Sequence, residues 1–275
     1  MDARTYYRTI RGYHEIAERS HERPMVDAGV LRQYLPPRGM IVDVGGGTGY
    51  NSKFLSLFPK TYVCVDLSVE GAHFVHQHGR GQAIVADATS LPFGDRTISA
   101  ILCSWSMEHF PDPETILDEM RRVLCPGGRI IIWGPNWDNI LRKDFPQFAH
   151  KARIYREIVR FRLMGKMMLN EVFHRRYVPY VTQDVAAFAD PDRYCSYDTD
   201  AVHCVLCQET SQYFRRHGFK IVFLADFRDM LWFVNTSVIS RSVRSLLRPV
   251  VPLIRRIPFF RWWVIRFPLI VEYRT

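Results

Sequence analysis

Carboxylates and glycines that could hold a ligand are concentrated in the stretch Met40–Gly49, which reads MIVDVGGGTG. The apolar residues around Asp43 predict a short buried strand, and the glycines that follow predict a tight loop. Glycine suits a loop whose backbone a ligand approaches closely. Where such a loop enters a helix, free backbone N–H groups and the positive end of the helix dipole face the ligand. The stretch therefore predicts a binding site for a nucleotide-like molecule.

The spacing of the glycines narrows the class of ligand. A dinucleotide loop follows the pattern G-x-G-x-x-G, but here Gly49 comes one residue too early after Gly45 and Gly47. A phosphate-binding P-loop would require Gly-Lys-Ser/Thr, which does not follow. The pattern that remains is D-x-G-x-G-x-G, beginning at Asp43.

Further carboxylates follow the next predicted strands. Asp66 comes about 20 positions after the glycine loop, at the spacing from which a carboxylate accepts hydrogen bonds from both hydroxyls of a ribose. Asp87 begins the string DATSLPF, and Ser106–Pro113 reads SMEHFPDP. Ligands of open parallel sheets lie beyond the carboxyl ends of the strands, so these groups are expected to share one site.

In this order and spacing, the glycine loop, the D-x-x-x-L-P-F string and the E-H-x-x-D-P string resemble the class I S-adenosylmethionine-dependent methyltransferases of the type 11 group. The resemblance covers residues 40–135 and includes the L-x-P-G-G turn at 124–128. It implies a Rossmann-like α/β fold whose seven-stranded sheet is mostly parallel, with the last strand antiparallel and helices on both faces. It also implies in-line transfer of a methyl group to a small-molecule or lipid- or saccharide-type acceptor, most simply to an oxygen.

The implied cofactor is S-adenosyl-L-methionine. The resemblance places the Asp87 carboxylate at the adenine amino group and the Ala88 N–H at a ring nitrogen, with Pro92 and Phe93 as a pocket wall. The expected cofactor contacts, in chain order, are Asp43, Gly45, Gly46, Gly47, Gly49, Asp66, Leu67, Asp87, Ala88, Ser104, Trp105 and Ser106.

His109 is the best-placed candidate for a catalytic base, because a hydroxyl acceptor must lose a proton and histidine titrates in the right range. A second interpretation is equally open. In it, Glu108 and His109 only hold the loop or contact the cofactor. Members of this group methylate O, N and C atoms and share no single base, so the resemblance does not choose between the two.

The elements that position these residues alternate between strand and helix throughout residues 40–135, which predicts a doubly wound sheet. Residues 4–35 are predicted as a helix that covers the sheet edge or brings Tyr13 or His14 to the cofactor. The predicted domains are an N-terminal helical segment at 1–39, a cofactor-binding core at 40–137, a helical cap insertion at 138–207 and a completion of the sheet at 208–275. The predicted strands are Met40–Val44, Thr61–Ser68, Ala83–Asp87, Ile98–Trp105, Arg129–Gly134, Phe219–Leu224 and Pro268–Tyr273.

A basic aromatic segment at 238–267 is the least expected part of the chain. It holds seven arginines and no acidic residue, and the formal net charge of +9 arises from the second half of the chain. Basic amphipathic helices with Trp and Phe bind anionic membrane surfaces, which makes peripheral membrane contact one hypothesis. Packing of the aromatic residues on the protein itself is the other, and no recognisable module supports nucleic-acid binding.

Composition bounds the remaining possibilities. The 275 residues suffice for one buried α/β domain with an elaboration, and the six unevenly spaced cysteines do not form a disulfide framework. We expect a cytoplasmic protein without signal peptide or transmembrane helix, possible membrane association aside. No metal site is expected, because Cys195, His203, Cys204 and Cys207 lack two spaced pairs of ligands. Two other functions stay open: a nicotinamide-dependent oxidoreductase, and a non-catalytic membrane-associated binding protein.

Overall fold

The structure is a computed structural model. It describes residues 3–9, 12, 14, 18, 33–55, 61–135, 180–181, 201–224 and 266–274, together with single positions between 154 and 169. In these ranges no helix is both long enough and apolar enough to cross a membrane.

A seven-stranded sheet forms the centre of the molecule, in the order β3-β2-β1-β4-β5-β9-β8. The strands β1 to β5 run parallel, and β9 lies antiparallel between β5 and β8. A separate two-stranded ladder joins β6 to β7. The strands are β1 Met40–Val44, β2 Thr61–Asp66, β3 Gln82–Val85, β4 Ile98–Ser104, β5 Leu124–Pro135, β6 Tyr180–Val181, β7 His203–Cys204, β8 Phe219–Leu224 and β9 Arg266–Tyr273.

The described helices connect the parallel strands or cover the sheet. They are α1 Ala3–Thr9, α2 Ser52–Leu55, α3 Val69–Gln77, α4 Pro113–Val123 and α5 Cys207–Arg216, with one turn of 3₁₀ helix at Met107–His109. Asp112 caps α4 because its carboxylate accepts from the Thr115 N–H at 3.2 Å, and Pro113 occupies the first turn, where no N–H is needed.

Both faces of the sheet are buried, as expected for a parallel sheet covered by helices. One core includes Val42, Ile101 and Ile130 together with residues of α4 and α5. The other includes Ile41, Leu102 and Trp133. Because side chains alternate along a strand, Asp43 and Ser104 point to the same side as this second core. The polar side chains of Asp43 and Ser104 thus lie on this face toward the carboxyl ends of β1 and β4.

The strand order reverses between β1 and β4. From β1 the chain winds outward through β2 and β3, then crosses back to β4 and winds through β5. A reversal of this kind leaves a crevice at the carboxyl ends of β1 and β4, where the connections diverge to opposite sides. The glycine loop follows β1, and Trp105–His109 follows β4, so the fold brings both to this crevice.

The predicted fold is confirmed: the sheet is mostly parallel and the strand at the end of the chain is antiparallel. The strands end within a few residues of the predicted limits, although β5 begins at Leu124 and β3 ends at Val85. The predicted helix at 4–35 is wrong as a continuous element, because the backbone bends at Gly12 with a φ of 74°. Most of the predicted cap at 138–207 and nearly all of the basic segment at 238–267 lie outside the described residues.

Candidate functional site

The glycine loop differs from expectation in where its backbone amides point. Gly45 and Gly46 donate to the Val65 carbonyl oxygen at 2.8 and 3.3 Å, and Gly49 donates to the Gly46 carbonyl oxygen at 2.8 Å. Gly47 donates to the Asp66 carboxylate at 2.8 Å. The sequence predicts free N–H groups here, and for these four glycines that prediction is wrong. The loop is folded onto the end of β2 and offers these amides to no anion.

Close packing explains why glycine occupies two of these positions. A Cβ on Gly46 would lie 2.6 Å from the Cys64 sulfur and 3.1 Å from the Asp43 carbonyl oxygen. Gly45 has a φ of 68°, and its Cβ would lie 2.7 Å from the Ser106 Cβ. Side chains at either position would push the loop away from β2 or from the segment after β4. The glycines thus hold the loop at the crevice.

Asp43 is fully buried below this loop. One carboxylate oxygen accepts hydrogen bonds from the Tyr62 hydroxyl at 2.7 Å and from the Asn51 amide at 2.9 Å. Burial raises the pKa of Asp43 to about 6, although these two hydrogen bonds oppose the shift. The other oxygen, Oδ1, is buried and has no hydrogen-bond partner. At neutral pH the residue is therefore a largely ionised carboxylate beneath the glycine loop.

Asp66 is the last residue of β2. Its two carboxylate oxygens accept from the backbone N–H groups of Gly47 at 2.8 Å and Ser68 at 2.9 Å. A carboxylate has about four lone-pair sites, so each oxygen retains capacity for a ligand hydroxyl. Leu67 follows directly at the rim and is partly exposed. Asp66 thus fixes the glycine loop and can still accept hydrogen bonds from a ligand.

Asp87 lies after β3 and is already paired with the N-terminal helix. The Arg4 guanidinium contacts one oxygen at 2.9 Å, and the Thr89 hydroxyl and N–H donate to the other at 2.7 and 2.9 Å. Ala88 and Phe93 pack on the core of the sheet, whereas Pro92 is exposed. For Phe93, the structure shows core packing rather than an exposed pocket wall.

The N-terminal segment is attached to the glycine loop by a buried ion pair. Arg80 contacts the Glu18 carboxylate at 2.6 Å and donates to the Thr48 carbonyl oxygen at 3.0 Å. The hydrogen bond from Arg80 lowers the pKa of Glu18 to about 2, helped by Lys53 at 2.8 Å. Because Arg80 contacts both Glu18 and the Thr48 carbonyl oxygen, it links Glu18 to the glycine loop.

His14 packs against the loop from the same segment. A Cβ built on Gly47 would lie 3.6 Å from its ring, and one on Gly71 would lie 3.1 Å from it. Burial lowers the pKa of His14, while the charges of Asp66 and Glu70 act in the opposite direction. The sequence offers Tyr13 or His14 as a residue near the cofactor; His14 touches the loop, and Tyr13 lies outside the described residues.

Ser106, Glu108 and His109 follow β4. The Ser106 hydroxyl donates toward the Gly45 carbonyl oxygen at 2.8 Å, which joins the two sides of the crevice. Glu108 is buried, and its carbonyl oxygen accepts from the Val202 N–H at 2.8 Å. The Tyr7 hydroxyl lies 3.2 Å from His109 Nδ1. Helix α1 therefore reaches both the far end of the crevice, through Arg4, and the end near β4, through Tyr7.

Three buried polar groups at the ends of β4 and β5 have no hydrogen-bond partner among the described residues: the Ser104 hydroxyl, the Trp105 indole N–H and the Trp133 indole N–H. We call these three residues the indole edge. Ser104 and Trp133 are register partners on adjacent strands. The backbone N–H of Trp105, as distinct from its indole N–H, donates to the Trp133 carbonyl oxygen at 2.6 Å. Trp105 also has a φ of 56°, a left-handed conformation that is uncommon outside glycine and is enriched at functional sites.

The other three strands of the crevice carry carboxylates at or just after their carboxyl ends. We call these residues, Asp43, Asp66 and Asp87, the acidic edge. Sequence reasoning found all three. It missed Tyr62 and Asn51, which hold Asp43, and Arg4 and Tyr7, which come from a distant helix. It also missed Trp133, although a tryptophan at the carboxyl end of the buried run IIIW carries a signal, since its N–H needs a partner.

Residues 42–132 match the sequence model of the family described as methyltransferase domain, type 11. The chain carries a class I methyltransferase domain of this group. The match spans the glycine loop, the acidic edge and the Glu108-His109 pair, and ends one residue before Trp133.

Curated relatives agree with this domain. An uncharacterised protein of Methanocaldococcus jannaschii is 30% identical over 46% of this chain and 59% of its own length. A demethylmenaquinone methyltransferase of Clavibacter sepedonicus is 38% identical over 34% of this chain and 39% of its own length. A fatty-acid O-methyltransferase of Mycolicibacterium smegmatis is 30% identical over 44% of this chain and 48% of its own length. The chain thus spans about two fifths to three fifths of the length of these relatives.

Solved structures share the fold of the methyltransferase domain at low identity. A chain in the complex of a Haloferax volcanii methyltransferase activator with a methyltransferase has a TM-score of 0.56 at 14% identity, covering 96% of this chain and 94% of that one. The cyclase SpnF has a TM-score of 0.52 at 13% identity, and the alignment covers 90% of this chain and 80% of SpnF. Geranyl diphosphate C-methyltransferase of Streptomyces coelicolor, solved with S-adenosyl-L-homocysteine, has a TM-score of 0.50 at 15% identity, covering 95% and 84%. At these identities the likeness establishes the fold only.

Proposed function

We propose that this protein transfers a methyl group from S-adenosylmethionine to an oxygen of an apolar small-molecule or lipid-type acceptor. The observation that carries the proposal is the chemistry of the crevice beside the glycine loop. Three carboxylates lie on its acidic edge, while the four glycine amides that could have bound a phosphate are used within the protein. Such a site favours a ligand with positive charge and hydroxyl or amino donors.

This arrangement also weighs against the nicotinamide alternative. A dinucleotide brings a pyrophosphate, which needs free backbone N–H groups at the loop. Here the amides of Gly45, Gly46 and Gly47 donate to Val65 and Asp66, and Asp43 and Asp66 would repel an anion. S-Adenosylmethionine has no phosphate and carries a sulfonium and an ammonium group, so its chemistry fits the residues present.

We assign the binding roles as follows. Asp66 accepts from the ribose hydroxyls with the lone pairs that Gly47 and Ser68 leave unused. Asp87 and Ala88 meet the adenine ring, and Leu67 covers it at the rim. The loop from Gly45 to Gly49 lies along the methionine portion, with the Asp43 charge below it. When bound, S-adenosylmethionine supplies a methyl group already activated on a sulfonium sulfur.

The chain's own task is then to orient the acceptor, exclude water and take up a proton. His109 is our candidate for the proton, and the Tyr7 contact supports it. If His109 Nδ1–H donates to the Tyr7 oxygen, Nε2 is the unprotonated ring nitrogen, which is the form that acts as a base. The acceptor hydroxyl loses its proton to Nε2 as its oxygen takes the methyl group. Tyr7 thus acts as a positioning residue that selects the base-competent tautomer.

The acceptor class is inferred from the names of two relatives and from the composition of the basic segment. Two of the curated relatives are a demethylmenaquinone methyltransferase and a fatty-acid O-methyltransferase, both named for apolar substrates. The basic aromatic segment at 238–267 would suit delivery of such substrates from an anionic membrane, and this part of the proposal is argued from sequence alone. Vesicle sedimentation with anionic and neutral lipid tests it, and salt-insensitive or absent binding would exclude it.

Calorimetry with S-adenosylhomocysteine tests the cofactor assignment. We expect Asp66→Ala to weaken binding roughly 30- to 100-fold, since hydrogen bonds to a charged group contribute about 1.5–3 kcal/mol. Asp66→Asn keeps an acceptor oxygen and should lose less. Asp95→Ala, on an exposed loop at Arg122, is the control and should bind as the wild type does. Equal affinity of Asp66→Ala and wild type would refute the pocket, and methyl transfer to no fraction of a lipid extract would favour the non-catalytic binding protein.

A further inference from the structure

The indole edge supplies hydrogen-bond donors that no part of the structure accepts. Buried polar groups are nearly always paired, so three adjacent orphans call for a specific explanation. The Ser104 hydroxyl and the indole N–H groups of Trp105 and Trp133 are all buried and unpartnered in the described structure. Leaving such groups unpaired lowers stability, and a bound molecule with suitable oxygens would recover that loss.

The location of the indole edge matches the acceptor side of the crevice. Ser104 and Trp133 are paired across β4 and β5, on the opposite side of the switch point from the acidic edge. His109, our candidate base, lies only five residues after Ser104 along the chain. The left-handed backbone of Trp105 is a strained conformation for a bulky residue, and it persists where surrounding structure or function requires it.

The charges around the indole edge define which oxygens it can bind. In the described part of the chain, arginines and lysines near the crevice are paired elsewhere: Arg4 contacts Asp87, and Arg80 and Lys53 contact Glu18. The buried carboxylate of Asp43, on the neighbouring strand β1, points to the same side of the sheet as Ser104. Neutral donors beside a buried carboxylate favour an uncharged oxygen over a free anion.

We propose that Ser104, Trp105 and Trp133 form an acceptor subsite for an uncharged carbonyl or hydroxyl oxygen attached to an apolar ring system. Indole N–H groups and the serine hydroxyl donate to that oxygen, and the indole rings cover the adjoining apolar surface. The inference deepens the proposed function by naming the acceptor chemistry of the same site. It assigns Ser104 and Trp105 to the acceptor, whereas the sequence predicts them as cofactor contacts.

Equilibrium dialysis of protein saturated with S-adenosylhomocysteine tests the subsite without requiring turnover. The probes are 1-tetralone, which carries a ring ketone, tetralin, which lacks the oxygen, and 1-naphthoate, which is an anion. We expect 1-tetralone to bind the wild type more tightly than either of the other two. Trp105→Phe and Trp133→Phe keep an aromatic ring but remove the N–H, and each should weaken 1-tetralone about fivefold to tenfold while leaving tetralin unchanged.

The control variants separate this inference from the function that it rests on. Ser104→Ala should also weaken 1-tetralone, whereas Ser99→Ala, at the amino end of the same strand, should not. Affinity for S-adenosylhomocysteine should stay within twofold of the wild type in all variants, and thermal melting checks that each one folds. Unchanged 1-tetralone binding in the tryptophan variants, or tighter binding of 1-naphthoate, would refute the subsite. Parallel loss of S-adenosylhomocysteine affinity would return these residues to the cofactor, and failure of the wild type to bind S-adenosylhomocysteine would refute the proposed function itself.

Discussion

The two edges of the crevice are built in opposite ways. On the acidic edge, most polar groups already have partners within the protein: Asp66 binds two backbone amides, Asp87 binds Arg4 and Thr89, and Asp43 binds Tyr62 and Asn51. On the indole edge, three donors at the ends of β4 and β5 have none. Within the described residues, the same sheet thus ends in one region where most polar groups are paired and another where three buried donors are not.

This difference is informative about what each region binds. A prebuilt carboxylate array pays its ordering cost during folding, so it can bind the same ligand rigidly in every member of a family. Unpaired neutral donors instead discriminate between ligands, because a molecule that lacks the matching oxygen leaves them buried and unsatisfied. We therefore associate the acidic edge with the shared cofactor and the indole edge with the particular acceptor.

The strongest test of this division is replacement of His109. We expect His109→Asn to lower kcat for an oxygen acceptor by about 100-fold or more, because a positioned base contributes roughly 10²–10⁴-fold. Affinity for S-adenosylhomocysteine should be unchanged, since the residue serves the acceptor side. Tyr7→Phe should lower kcat less and shift the pH profile, because His109 then loses the oxygen that selects its tautomer. Steady-state kinetics and calorimetry provide the measurements.

His76→Asn is the matched control for this experiment, because His76 is exposed on α3 and should be silent. An unchanged kcat in His109→Asn would support the other interpretation, in which Glu108 and His109 only hold the loop. A large loss of cofactor affinity would remove the division between the two edges.

A second test asks whether the acidic edge depends on the close packing of the glycine loop. We expect Gly46→Ala to lower the free energy of unfolding by about 3 kcal/mol, the upper end for overpacking, because its Cβ meets both the Cys64 sulfur and a backbone oxygen. Removing the sulfur in a Gly46→Ala, Cys64→Ala double variant should restore part of the loss. Urea unfolding measures both values.

Gly94→Ala serves as the control for the loop, since its Cβ would meet only an ordinary contact at 3.4 Å from Thr97. If Gly46→Ala and Gly94→Ala had equal stability, the loop would be free to move away from β2, and the acidic edge would not be prebuilt.

The smallest expected effect concerns the buried carboxylate of Asp43. Its folded-state pKa is about 6, above the ordinary value of 3.8, so the folded chain binds the proton more tightly than the unfolded chain does. The ionised group therefore lowers stability above pH 6, and this penalty disappears as the pH falls from 6 toward 4. Asp43→Asn should be more stable than wild type by up to about 3 kcal/mol at pH 8 and nearly equal in stability near pH 4. Thermal unfolding across this range gives the difference.

The same variant should bind S-adenosylhomocysteine no better than wild type, which would show that Asp43 is retained for its charge rather than for stability. A stability difference that stays constant with pH would mean that Asp43 is not held above its ordinary pKa.

Much of the fold could be predicted from local patterns, because the predicted strands are short apolar runs, and those that lead to Gly45, Asp66 and Asp87 end at a glycine or a carboxylate. The alternation from Met40 to Gly134 determines the parallel sheet, and the topology then brings Asp43, Asp66 and Asp87 to one edge. The continuous helix predicted at 4–35 failed because periodic apolar residues do not report a bend, and Gly12 adopts one.

The sequence by itself determined the order of strands, the acidic edge and the family of the central domain, since these depend on residue types at short spacings. Only the tertiary structure decided that the loop amides turn inward to Val65 and Asp66, that Arg4 and Tyr7 of a distant helix meet Asp87 and His109, and that Ser104, Trp105 and Trp133 keep unpaired donors. Those facts depend on which groups remain without partners after packing. Hydrogen-bond partners that lie 19 to 102 residues apart leave no periodic trace in a chain, so no pattern of spacing could have supplied them.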